Sequence, residues 1–115
     1  MRGVVKIGSV DVEMLANAAS PILYRQVFKK DFLKNMQEIN EESGEKAVEL
    51  FSEMGFIMAS QVDHPIAQLN TLCYGDFLTW LSQFEPYDIM NAIADIAMLY
   101  NSQQISTSTA KKEEG

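Results

Sequence analysis

The chain begins with apolar positions, Val4, Val5, Ile7, Val10, Val12 and Met14, set among small and polar residues, with Gly8-Ser9 between the two runs. Alternation is the period of a half-buried strand. It predicts a short hairpin turning at Gly8-Ser9, or a single strand leading into the first helix. Two strands alone are marginal in water, so this element must pack on helices. At Ser20-Pro21 the period changes. Ser20 suits an N-cap, and Pro21 suits the first helical position because its missing N–H has no partner there anyway. Ile22, Leu23, Gln26 and Val27 then follow helical spacing. Lys29-Lys30-Asp31 predicts a short break, with Asp31 capping a second helical segment that carries Phe32, Leu33, Met36 and Ile39 on one stripe.

Asn40 to Gly44 reads as a polar loop. From Glu45 to Val62 one long helix follows, with Ala47, Leu50, Phe51, Met54, Ile57 and Met58 on one face and Glu45, Glu49, Ser52 and Glu53 largely on the other. Gly55 costs about 1 kcal/mol against alanine inside a helix, so it predicts a close helix crossing. Asp63-His64-Pro65 ends the helix, because the residue before proline avoids the α region. A loop or short turn follows, with Asn70-Thr71 as a cap. A helix then begins at Tyr74 or Asp76 and runs to Phe84, with Phe77, Trp80, Leu81 and Phe84 at helical spacing. Pro86 opens the last helix, which buries Ile89, Ala92, Ile93, Ile96, Ala97 and Tyr100. The end of the chain is rich in Ser and Thr and offers little to bury, which predicts disorder. The expected fold class is therefore mainly α: a small domain of four to five helices with a short N-terminal β-hairpin or strand. The helical domain spans 1–103 and a flexible tail spans 104–115.

Composition adds limits. With 115 residues and 47% apolar content, one modest core is attainable. Sixteen acids against nine bases give a net charge of −7. That argues against a nucleic-acid partner, which needs clustered Lys and Arg to displace counterions, and against an anionic membrane. The single cysteine, Cys73, excludes an intramolecular disulfide and points to a reducing cytoplasm. No secretory signal and no spanning apolar run is read in the sequence.

Candidate chemistry is sparse. His64 is the one histidine, and a general base needs a partner within hydrogen-bond reach that the sequence does not suggest. Cys73 has Leu72 and Tyr74 as neighbours, and is expected to act as a small core hydrophobe. Glu41, Glu42, Glu45, Glu49 and Glu53 could form a cation cluster, but a solvated helix face is the simpler reading. Arg25, Lys29, Lys30 and Lys34 recur at helical spacing, and pairing with nearby acids is expected before contact with DNA. No phosphate loop or nucleophile elbow is present. The expectation is a protein that is not an enzyme and takes no cofactor or metal. Seven methionines and eleven aromatics remain. Tyr24, Phe28 and Phe56 lie off the main helical stripes, and surplus apolar surface marks protein contacts.

Two stretches sharpen this expectation. Residues 17–39 contain Ser20, Pro21, Tyr24, Arg25, Phe28, Asp31 and Leu33 after an Ala-rich lead-in. Residues 76–101 contain the block Phe77, Trp80, Leu81 and Phe84, then Asp88, Tyr100 and Asn101. Together they resemble the tail assembly chaperones of long-tailed phages and prophages of Gram-positive bacteria. The likeness runs in order over roughly 10–101, and departs at Lys30, where that family more often has glycine. The resemblance implies a protein that binds the tape measure protein, keeps that long helical chain soluble and recruits tail tube subunits. It implies self-association, action in the host bacterial cytoplasm and absence from the mature virion. Many such proteins are made in two lengths by ribosomal frameshifting; this chain would be the short form or the shared N-terminal part, with Lys111-Lys112 encoded at a slippery run. Tyr24, Phe28, Phe56, Trp80 and Tyr87 are the candidate contact residues, each with core packing as the alternative. A small structural tail or head–tail joining component of the virion is the rival function, and a small DNA-binding regulator is a further one.

Overall fold

The computed structural model describes residues 2–39 and 44–114, and the side chains of these apart from 66, 67 and 102–114. Strands β1 (Arg2–Ile7) and β2 (Val10–Leu15) form an antiparallel hairpin in which Val5 faces Val12 and Ile7 faces Val10. Of the two alternatives, the hairpin is the one present. Gly8 has φ +65°, which a type II′ turn requires at its first central position. On the inner face Val5, Ile7 and Met14 are buried, so the strands gain their stability from the helices beneath them.

Helix α1 (Ser20–Phe28) starts one residue earlier than capping by Ser20 would place it. Ser20 lies inside the helix, and its hydroxyl accepts from the Asn17 N–H at 3.0 Å and donates to Gln61 Oε1 at 2.6 Å. The predicted break is present. Lys29 closes α1 in the left-handed region at φ 59°, and Asp31 caps α2 (Phe32–Glu38) by accepting from the Lys34 N–H at 3.1 Å. Helix α3 (Gly44–Asp63) ends at the predicted histidine-proline step. Most of the polar loop expected at 40–44 lies outside the described residues. A single turn, α4 (Ile66–Leu69), precedes α5 (Tyr74–Leu81), which stops three residues short of Phe84. Its cap is Cys73 rather than Asn70-Thr71; the Cys73 N–H donates to Asp76 Oδ2 at 3.0 Å. Cys73 itself is exposed, which corrects its expected place in the core.

Helix α6 is Pro86–Glu114. Of its predicted inward face, Ile89, Ala92, Ile96 and Tyr100 are buried, while Ile93 and Ala97 are half-buried at the edge of the core. The segment 104–115, expected to be a flexible tail, lies outside the residues whose side chains are described. With two strands and otherwise helices, the mainly-α class holds.

The largest departure concerns α3. Periodicity predicts a one-sided helix, yet every residue from Leu50 to Ser60 is buried. The hairpin, α1, α5 and α6 all pack on it, so there is no solvent side along that stretch. Gly55 permits a close approach of α6 and the hairpin, as expected: a Cβ there would meet Ile96 Cδ1 at 3.1 Å and Met14 Cε at 3.5 Å. Aromatic rings link the layers. Trp80 meets Phe56 at 5.9 Å between centroids, Phe56 meets Phe77 at 5.7 Å, and Phe77 meets Phe28 at 5.1 Å. The series continues through Tyr24 to Phe32 and Tyr100. The edge-to-face pairs among them add about 0.5–1.5 kcal/mol each beyond the area they bury.

Candidate interaction surface

Most of the aromatic content is consumed by that core. Tyr24, Phe28 and Phe56 are buried, so they are not surface contacts as the protein stands. Their position off the helical stripes reflects a second packed side: α5 lies over Phe56 and Phe28, while α2 lies over Tyr24. Trp80 is half-buried between Phe56 and Phe84. Of the five candidates, only Tyr87 stands fully in solvent, at 74% exposure.

Tyr24 has a further task. Its hydroxyl donates to Glu53 Oε1 at 2.6 Å, and Lys30 Nζ donates to both Glu53 oxygens at 3.2 Å. Glu53 is buried, not on the solvated face expected for it. Burial pushes its carboxyl above the usual carboxylate range, against the opposing pull of Tyr24 and Lys30. Burial, and then the adjacent carboxylate, push the Tyr24 phenol upward as well. Both Glu53 oxygens are already occupied, so this cluster ties α1 to α3 and holds no free acid or base. Lys30 also reaches Glu49 at 3.5 Å, the pairing with neighbouring acids that its spacing suggested.

The surface with unsatisfied apolar area lies elsewhere. Where α3, α5 and the start of α6 converge, an open groove of about 840 Å³ is lined by Val48 and Ser52, by Tyr74, Phe77, Leu78, Leu81 and Phe84, and by Pro86, Ile89 and Met90. Leu78 and Met90 are 48% and 54% exposed. From Met90 the apolar surface continues along the outside of α6. Tyr87, Met90, Ala94 and Met98 are spaced by three, four and four residues, so they share one face, and all are exposed. Exposed leucine and methionine in a continuous strip is the composition of an adaptable protein-binding surface. Charge at the groove is one-sided: among the described residues, Glu45 and Glu49 are the charged groups that line it.

The groove is not legible in the sequence because its walls come from segments far apart in the chain. The outer stripe of α6 is legible as a second apolar periodicity opposite the buried one. Among the described residues, no helix is long and apolar enough to cross a membrane, and no group of three His, Cys, Asp or Glu is placed to hold a metal ion. No family model, curated protein or solved structure matches this chain.

Proposed function

We propose that the chain is a tail assembly chaperone that holds the tape measure protein soluble and helps recruit tail tube subunits around it. The observation that carries the proposal is the apolar groove between α3, α5 and α6, continuous with the exposed stripe Tyr87, Met90, Ala94 and Met98. A holdase needs a surface of this kind. An amphipathic client helix exposes apolar area to water when free, and buries it by lying in a groove between helices. The net charge of −7 keeps the loaded complex soluble. The resemblance of the ordered motifs to those of tail assembly chaperones supports the same reading, since Phe77, Leu81 and Phe84 of the aromatic block line one groove wall.

Co-expression with the tape measure protein of the same gene cluster tests this. The two should co-purify, and the tape measure protein alone should precipitate. Two folded proteins that do not associate would remove the proposal. Mass spectrometry of purified particles separates a chaperone, which is absent, from a structural virion component, which is present.

A further inference from the structure

The floor of the groove contains an unusual atom. Ser52 Oγ is buried and has no hydrogen-bond partner among the described residues. Buried hydroxyls are nearly always paired, because desolvation without a partner is unfavourable. That oxygen is closed off from the groove, so recognition there rests on the apolar walls and the charged rim. Above it, the rim carries two carboxylates and, among the described residues, no cation. Glu49 is shared with Lys30 on its far side, and Glu45 makes no ion pair among the described residues.

We infer that the groove takes an amphipathic helix that lays its apolar face between the three helices and carries lysine or arginine along the flank that meets Glu45 and Glu49. This rests on the chaperone proposal for the site and adds the chemistry of the client segment. Apolar walls supplied by three helices suit a helix laid between them, through its i, i+3, i+4 and i+7 residues. The glutamate rim favours basic flanks and speeds encounter with them. A second copy of the chain is disfavoured as the occupant. It brings the same excess of acid, and like charges across an interface oppose binding. A small apolar ligand is disfavoured because the groove is open to solvent, whereas such ligands are bound largely enclosed.

The probes are two synthetic amphipathic helices of about 18 residues, long enough to form in solution, one built from leucine and lysine and the other from leucine and glutamate. The lysine peptide should bind at least about tenfold more tightly than the glutamate peptide, and less tightly as salt rises. Replacing both Glu45 and Glu49 by lysine should reverse that preference. Leu78→Asp makes the chain more acidic yet places a charge in the groove, so binding of the lysine peptide should fall. If it holds or rises, the attraction is general and the groove is not the site. Equal affinity for the two peptides would also overturn the inference. Loss of peptide preference while the tape measure protein still co-purifies defeats only this inference. A selective groove whose tape measure protein stays insoluble defeats the chaperone proposal.

Discussion

Replacing Lys30 by methionine keeps most of the side-chain stem and removes the charge that faces Glu53. In the native protein Lys30 Nζ sits 3.2 Å from both Glu53 oxygens, while Glu53 is enclosed by the core and Lys30 is 39% exposed. Leaving a buried carboxylate without its partner costs about 3–5 kcal/mol when both groups are enclosed. Water reaches Lys30, so the loss here should be lower, about 2–3 kcal/mol near pH 8. That is a large part of the roughly 5–15 kcal/mol that stabilises a domain. The pH dependence follows from the direction of the shift. The folded-state carboxyl of Glu53 lies above its unfolded value of 4.5, so the native state holds this proton more tightly than the unfolded chain. Stability from this group is therefore greatest at low pH and is lost as pH rises from about 4.5 through the raised value. Without Lys30 that value climbs further, because two of the influences lowering it are gone. The penalty of Lys30→Met should be largest at pH 8 and should shrink towards pH 5, as the variant protonates Glu53. In a Glu53→Gln background it should nearly vanish at both. Urea unfolding followed by far-UV circular dichroism and by the fluorescence of Trp80 measures each difference. A Lys30→Met penalty that is equal at the two pH values, or that persists undiminished in the Glu53→Gln background, would refute the reasoning.

Three other changes have defined outcomes by the same unfolding assay. Lys29→Gly should stabilise by about 1 kcal/mol, because the left-handed φ of 59° at an exposed helix end favours glycine. Gly55→Val should destabilise by about 1–3 kcal/mol, since even a Cβ would meet Ile96 at 3.1 Å and a branched side chain has no room to turn away. Ser52→Ala should raise the stability of the free chain by about 1 kcal/mol, because the hydroxyl it removes is desolvated and unpaired.

Much of the fold is legible because local chemistry dictates it. The turn at Gly8 uses the one residue that takes positive φ freely, the stop at His64-Pro65 and the start at Pro86 follow from proline's fixed φ and missing N–H, and the restart after Lys29 is set by the capping side chain of Asp31. What escapes depends on the number of neighbours an element has. Helical periodicity assumes one buried side, and α3 is surrounded from Leu50 to Ser60. Periodicity therefore puts Glu53 and Ser52 in solvent and leaves Phe56 as surplus surface, when all three are buried. It misplaces Tyr24 and Phe28 for the same reason, since their second face meets α2 and α5. Of the five candidates only Tyr87 is fully exposed, and the sequence does not set it apart from the other four. The groove is not, because Val48, Leu78 and Met90 converge only in three dimensions.

The most direct measurement is the solubility of the tape measure protein in the presence of a groove variant that still folds. Leu78→Asp and Met90→Asp both alter exposed positions, so the double variant should keep native circular dichroism and a cooperative unfolding transition. Co-expressed with the wild type, the tape measure protein should stay in the supernatant as a complex; co-expressed with the folded variant, it should pellet. Equal recovery of soluble complex from both would contradict the claim that this groove holds the client.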